Sequence, residues 1–331
     1  MNFRRVVAST GSSRPRLSSC RSSAMQSSEA PQPTTWGCPP VLNALQYTAA
    51  MNETLNEIWR GTLTKMRAQH TTPVSYFLRD GFHDAARRTG DLPMNTLVGQ
   101  TIELRFDGLI QCVYCGRRTN KSFNQGFCYP CFKSRPEADV CMVKPELCHH
   151  GDPKSPCRDE EFAQDTCFKP HVLYASLTSG VKVGITRQPN VPSRWIDQGA
   201  VAAVPLAVLP SRRDVGLLEN ELAGHFQDKT HWMKMLKNEL PDGDLGGGAS
   251  KLIEMMDERN TEGVLPDDER QRRNFEYPVQ VWPEKVKSFN FDKTPVIGGR
   301  LDGIKGQYLI FDKGVINVRK FTGYVVSVHA S

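Results

Sequence analysis

Eight of the ten cysteines in this 331-residue chain fall between Cys112 and Cys167, opening with Cys112-Val-Tyr-Cys115 and, after a twelve-residue loop, Cys128-Tyr-Pro-Cys131. Each CxxC knuckle turns tightly enough to aim both sulfurs at one ion, so two knuckles at this separation set four thiolates at the corners of a tetrahedron. Zinc suits such a set, being borderline-soft and without a preferred d-electron geometry. With Cys112, Cys115, Cys128 and Cys131 as ligands the site is closed to water and substrate, and its role is structural. Gly116 and Gly126 bracket the loop between the knuckles.

The other four cysteines, Cys141, Cys148, Cys157 and Cys167, are more widely spaced, with His149, His150 and His171 among or beside them. The expectation is a second zinc on these four thiols, with His149 or His171 substituting if one cysteine is spare. Fewer than four protein ligands there would leave an open position and make the cluster a metalloenzyme site.

The chain is 39% hydrophobic and 24% charged, which fits a folded protein with two or three small cores. Its longest apolar stretch, Ala200 to Leu209, contains Pro205 and falls far short of the roughly 20 residues that span a bilayer. No membrane role is expected. The first 28 residues hold Arg4, Arg5, Arg14, Arg16 and Arg21, many serines and no acid, the composition of a mitochondrial transit peptide. Removing it takes five charges from the formal +6 and leaves about +1, so net charge gives little support for a nucleic-acid partner. A matrix or cytosolic location keeps thiols reduced, which favours metal over disulfide. Cys20 and Cys38 lie outside the cluster.

The expected fold class is α+β and multidomain. Residues 1–40 read as transit peptide and linker, and 41–110 as a helical region followed by a strand. Leu42, Leu45, Met51, Leu55, Ile58 and Trp59 recur there at near-helical spacing, while Thr101 to Asp107 alternates with period two. Residues 111–170 are the cysteine-rich region. In 171–240 the pattern predicts strands at His171–Leu177, Val181–Thr186 and Val201–Leu209. Helices are expected at Pro192–Gln198, Arg212–Gln227 and His231–Leu240. The element order is strand, strand, helix, strand, helix, helix. Residues 241–275 read as a flexible, Gly-rich and charged linker whose glycines lack the Gly-Lys-Ser/Thr ending of a phosphate loop, with a helix-like stretch at Lys251–Arg259. From 276 to 331 short strands form a small β unit, a partly open barrel that Thr101–Asp107 can complete.

Several motifs carry a family resemblance: Gly126-Phe-Cys-Tyr-Pro-Cys131, Lys144-Pro-Glu-Leu-Cys148, Cys157-Arg-Asp159, Lys182-Val-Gly-Ile-Thr-Arg187 and Arg194-Trp-Ile-Asp-Gln-Gly-Ala200. Together with Asp228-Lys-Thr-His-Trp232 and Gly303-Ile-Lys-Gly-Gln-Tyr-Leu309 they resemble domain-of-unknown-function family 2797 from about Leu97 onward.

A more distant likeness, to the GIY-YIG nuclease core, rests on the strand bearing Tyr174, the Lys182-Val-Gly184 strand, Arg194 on the next helix and Glu219 on a later one. That resemblance implies Mg²⁺-dependent phosphodiester cleavage, with Tyr174 as general base through a water, Arg194 stabilising phosphorane-like charge and Glu219 holding Mg²⁺. Val172-Leu-Tyr174 keeps only the tyrosine of the first triplet, and Lys182 stands where the second has its tyrosine. Asn238 is the nearest counterpart of the family's late asparagine.

The leading expectation is thus a zinc-containing nucleic-acid-binding protein, DNA or RNA, with a GIY-YIG-like core that can retain endonuclease activity. The alternative is a catalytically inactive, zinc-stabilised module that binds a protein in the mitochondrion. Clustering of Arg187, Arg194, Arg212 and Arg213 on one face favours the first. Trp195 reads as a core residue rather than a stacking platform.

Overall fold

A computed structural model describes residues 55–225, 231–240 and 244–331, all within one compact unit, Glu53–Ser331. The presequence, the linker and the expected helical residues Leu42, Leu45 and Met51 lie outside the described residues.

Before the cysteines come β1 (Asn56–Thr62), β2 (Arg67–Gln69), β3 (Ser75–Leu78), β4 (Leu92–Pro93) and the long β5 (Thr101–Gln111). The cysteine-rich region holds β6 (Arg118–Thr119), α1 (Tyr129–Ser134) and a series of single helical turns. Next are β7 (His171–Leu177), β8 (Val181–Arg187), α2 (Ser193–Asp197), β9 (Ala202–Leu209), α3 (Arg212–Ala223), α4 (Trp232–Leu236) and α5 (Leu245–Glu258). The chain ends with β10 (Arg273–Asn274), β11 (Val296–Lys305), β12 (Tyr308–Phe311), β13 (Gly314–Asn317) and β14 (Tyr324–Ala330).

The strands form three sheets. The largest has the order β1-β14-β5-β11-β12-β13, with β6 paired to β5, the second is β10-β9-β7-β8, and the smallest is β2-β3-β4. The carboxyl-terminal strands are therefore not an independent unit. β14 lies between β1 and β5, so segments from the two ends of the described chain share one sheet. This pairing also corrects the helix expected across Leu55, Ile58 and Trp59. Trp59 is buried and Ile58 exposed, neighbours on opposite faces as a strand requires. Local periodicity cannot register a partner strand so far away in sequence.

The second sheet is covered on both faces. Val172 and Tyr174 of β7 join the core shared with the largest sheet, while Leu173, Ala175 and Leu177 face α3 and α5. All seven β7 residues are buried. Pro205, which should interrupt β9, pairs opposite Tyr174 where the register shifts by one residue, the kind of irregularity that tolerates a missing N–H.

The Gly-rich segment is the clearest departure from the linker expected at 241–275. Gly246, Gly247 and Gly248 lie inside α5, although each glycine costs about 1 kcal/mol relative to alanine in a helix. Burial of Leu245, Ala249, Leu252, Met255 and Met256 along one stripe outweighs that cost. A Cβ on Gly248 would lie 2.7 Å from a Val181 methyl, so glycine here lets the helix approach β8 closely.

Lys305, 1% exposed, is the most unusual core residue. Its ammonium donates to Asn238 Oδ1 at 2.8 Å and lies 5.2 and 5.1 Å from the rings of Tyr277 and Trp282. Asn238 is thus committed to the core. Burial lowers the Lys305 pKa from 10.5 to about 8. Between those values the folded protein sheds the proton while the unfolded chain keeps it, so the unfolded state binds more protons and stability rises with pH. The urea midpoint should increase from pH 8 to 10, below the range in which buried tyrosines ionise, and that rise should flatten in Lys305→Met. An equal slope in both proteins counts against a strained ammonium.

Candidate functional site

The first cysteine quartet is assembled from β5 and α1. Cys112 follows the end of β5, and a tight turn places the Gly116 N–H 2.8 Å from the Cys112 carbonyl. Cys128 caps α1, and Cys131 lies within it. One sulfur from each of Cys112, Cys115, Cys128 and Cys131 lies within 4.8 Å of the others, with three of the four cysteines buried. Burial pushes the Cys112 thiol up, but hydrogen bonds from the backbone of Cys115, Cys128 and Tyr114 outweigh it and bring its pKa to about 7. Burial pushes Cys115 and Cys131 upward. Four converging sulfurs with backbone N–H donors fit a zinc ion, which would hold them as thiolates.

The second group is less regular. Cys141, Cys148 and Cys167 line one small cavity with Pro145, Phe168, Arg212 and Arg213. The four thiols do not meet the 4.8 Å spacing as a set; Asp139, Cys141 and His149 do. Two members of that trio already have partners: Asp139 pairs with Arg158 at 2.7 Å, and His149 Nδ1 is 2.6 Å from the Ser155 carbonyl. His171 is fully buried in β7, its Nδ1 2.7 Å from the Lys169 carbonyl.

Beside this segment a polar cleft of about 560 Å³ opens along β8, α2 and α3. Lys65, Lys182, Arg187, Arg194, Arg212 and Arg319 contribute six cations to its lining, against two carboxylates, Asp197 and Glu219. Three of the four sequence-selected residues, Lys182, Arg194 and Glu219, therefore meet in one concavity. Of the four arginines expected to cluster, Arg187, Arg194 and Arg212 do so, whereas Arg213 faces the cysteine cavity. A separate cleft of about 480 Å³ between β9 and α5 is more aliphatic and lacks this concentration of one charge.

The fourth residue, Tyr174, is beneath the surface. It is 0% exposed, with its ring 5.6 Å from that of Trp195, itself fully buried as expected. Its neighbour across the strands is Gly184, where a Cβ would lie 2.6 Å from the phenol oxygen, so only glycine leaves room for the hydroxyl. The Gln198 amide is oriented with its oxygen toward Tyr174 and Arg194, because the reverse would set its NH₂ against the guanidinium. In this orientation Gln198 accepts from the Tyr174 hydroxyl at 2.9 Å and from Arg194 Nε and Nη2 at 3.2 Å each. Burial, opposed by the charge of Arg194, pushes the Tyr174 pKa up to about 12. A neutral, buried phenol with no place in the cleft lining is poorly suited to the general-base role the resemblance implies.

Glu219 and Glu221 are distinguished by direction. Glu219 lines the cleft, while Glu221 turns outward and accepts from Arg259 at 2.6 Å. Asp197 is committed to Lys65 Nζ at 2.8 Å and Gln307 Nε2 at 2.9 Å. Lys65 and Arg319 carried no motif. They reach the cleft from the turns after β1 and before β14, and no local pattern could have flagged them. Met142, Val143 and Pro145 from the cysteine-rich segment and Gln125 from the first zinc loop complete the wall.

A family model described as "Protein of unknown function (DUF2797)" matches residues 99–326. No curated protein and no solved structure matches the chain.

The Cys112 quartet predicts a specific metal dependence. Cys112→Ser should release one zinc ion per chain, read by elemental analysis, and lower the thermal midpoint by several degrees, since binding energy at a structural zinc is folding energy. Unchanged metal content in this variant would remove Cys112 from the ligand set.

Proposed function

We propose that this chain, which belongs to the DUF2797 family, is a nucleic-acid-binding protein built on a GIY-YIG-like core and directed at the phosphodiester backbone. The observation that carries the reading is the cleft: six cations from segments spread between Lys65 and Arg319 line it together with Glu219 and Asp197. A single phosphate group bound there meets both a planar guanidinium fork at Arg194 and a point charge at Lys182, the combination suited to gripping and neutralising transferred phosphoryl oxygens. Supporting the core assignment, β7, β8, α2, β9, α3 and α4 follow one another in the order the resemblance implies.

Residue roles follow from position. Arg194 binds non-bridging oxygens, and Gln198 with Tyr174 holds its guanidinium from behind, so Tyr174 is a positioning residue rather than the base. Lys182 neutralises developing charge. Glu219 is the carboxylate that would take Mg²⁺, an ion that needs only one or two carboxylates plus waters and substrate phosphate. Mg²⁺ would supply further charge neutralisation at the phosphate. The burial of Tyr174 gives weight to a second reading, a module that binds without cleaving; the cationic cleft points that module toward a polyanion rather than a protein partner. The Arg- and Ser-rich leader supports placing either activity in the mitochondrial matrix.

The test compares wild type with Arg194→Ala, Arg194→Lys, Lys182→Ala and Glu219→Gln on RNA and branched DNA in Mg²⁺ or Mn²⁺. Arg194→Ala should lower cleavage about 10²-fold or more, and Arg194→Lys should fail to restore it, since lysine lacks the fork. Wild-type protein that binds without cutting, with binding weakened in Arg194→Ala and Lys182→Ala, identifies the non-cleaving module. Wild-type protein that neither binds nor cuts any substrate defeats both readings.

Cys141, Cys148, Cys157 and Cys167 support a second zinc. Residues 136–168 contribute no side chain to any of the hydrophobic clusters, and Val140, Val143 and Leu147 stay exposed. A segment of that length without a core needs another source of folding energy, and a metal is the one its thiols can supply. This ion would fix the turn at Pro145, against which α3 packs so closely that a Cβ on Gly216 would lie 2.3 Å from the proline. Metal analysis should give two zinc ions per chain in wild type and one in Cys148→Ser, with the first quartet intact. One zinc in both proteins would leave the second cluster as unliganded thiols.

A further inference from the structure

The first zinc loop has a surface that its structural role does not use. From residue 108 to residue 136 the chain carries Arg117, Arg118, Lys121, Lys133 and Arg135 and no Asp or Glu. The first four of these are exposed. Between the cations stand two aromatic rings that the fold leaves largely open: Tyr114 in the first knuckle is 47% exposed and Tyr129 in the second is 56% exposed.

Neither ring is loose. The Arg135 guanidinium lies 4.1 Å from the Tyr114 ring centroid and backs one of its faces. Tyr129 meets Phe123 edge-on at 5.5 Å, and Phe123 in turn stacks on Phe132 at 5.7 Å. Both tyrosines are also tethered within two residues of a cysteine of the quartet, so bound zinc would restrict their backbone. Glu137 pairs with Arg135 at 3.3 Å and holds that guanidinium behind Tyr114, while Arg117, Arg118, Lys121 and Lys133 stay exposed. Held aromatic rings among exposed cations are what a single strand of nucleic acid requires. Each base finds a π-face, and the backbone finds charge, whatever the sequence.

The loop is physically continuous with the cleft. Gln125, at its tip, is part of the cleft lining and accepts from Arg319 Nε at 2.6 Å. A strand with one phosphate in the cleft therefore has the zinc loop beside it, joined through Gln125. Resting on the cleft reading above, we propose that the zinc loop is a second binding surface on which Tyr114 and Tyr129 stack unpaired bases of the strand whose phosphate the cleft holds. It specifies the substrate as nucleic acid with a single-stranded segment, RNA or DNA, because bases in a continuous duplex are stacked on each other and withhold their faces.

The test measures binding by fluorescence anisotropy for single-stranded RNA, single-stranded DNA and duplex DNA, with oligonucleotides of about 12 residues. Four proteins are compared: wild type, Tyr114→Ala/Tyr129→Ala, Tyr114→Phe/Tyr129→Phe, and Arg194→Ala. The alanine pair should weaken binding of single strands about tenfold or more and leave duplex binding within twofold, while the phenylalanine pair, which keeps both faces, binds as wild type. Separately, Arg117→Gln/Lys121→Gln should reduce the salt slope for single strands by about 1.4. Unchanged zinc content in every variant ties these effects to the surface rather than to the fold. The inference is overturned if the alanine pair binds single strands like wild type, if the phenylalanine pair loses as much as the alanine pair, or if the loss falls equally on duplex. When Arg194→Ala weakens binding and the alanine pair does not, the loop surface fails and the cleft reading stands. Wild type that binds none of the three ligands ends both.

Discussion

Burial of β7 on both faces is the constraint on which the rest of this structure rests. With β8 and β9 as its hydrogen-bonded neighbours, the largest sheet's core on one face and α3 and α5 on the other, it has no solvent-facing residue. A strand so placed cannot slip in register, because a one-residue shift would exchange Tyr174 with Leu173 between two differently shaped cores. That fixity passes to the cleft. Tyr174 is held under Gly184, Gln198 accepts from its hydroxyl, and the same amide oxygen receives two N–H groups of Arg194. The guanidinium is therefore oriented from the core outward, with its torsional freedom restricted before any ligand arrives, which reduces the ordering cost of binding.

Charge in this protein is organised by topology rather than composition. The first 28 residues contain five arginines, and without them the chain is close to neutral, so composition alone gives little support for a polyanion. Folding concentrates what the sequence disperses: Lys65, the pair Lys182 and Arg194, and Arg319 come from three separate stretches of chain to one concavity. Pairing of β1 with β14 brings the segments that follow one and precede the other together, which places Lys65 and Arg319 on the same side of the molecule as β8. Asp197, the carboxylate best placed to cancel this field, is engaged by Lys65 and Gln307. Glu219 is the other acidic residue in the lining.

Local pattern was most informative where burial is local. His171–Leu177 was legible to the residue because a run of apolar and small residues ends at Ser179-Gly180, and the two-residue turn sets the partner strand. That Lys182, Arg194 and Glu219 line one cleft was legible because the stretch that carries them folds as one contiguous α/β run. The failures share a different cause. β1 looked helical because its partner β14 is at the other end of the chain, and α5 looked like a linker because glycine content outweighed a stripe of Leu and Met whose receiving surface on β7 and β9 cannot be seen in sequence. Tyr174 does not line the cleft, because it is packed against Gly184 in a strand buried on both faces, a placement that depends on partners across the sheet.

Six cations around one cleft must repel each other, and burial makes this worse: it lowers the pKa of both Arg212 and Arg319. Such an arrangement destabilises the free protein, and it persists only if surrounding structure supplies the difference. The largest sheet supplies it for Arg319, on the turn leading into β14. Arg212, whose Nη2 donates to the Met142 carbonyl at 2.6 Å, depends instead on residues 136–168, which join none of the hydrophobic clusters. The stability of that segment and the charge of the cleft are thus linked through one residue. A bound polyanion would relieve the repulsion and so stabilise the folded chain by mass action, while a metal on the adjoining thiols would hold the wall against which the arginine is braced. With a metal bound, the cysteines that first draw the eye in this sequence would act on the cleft mechanically, by keeping its charged wall in one shape.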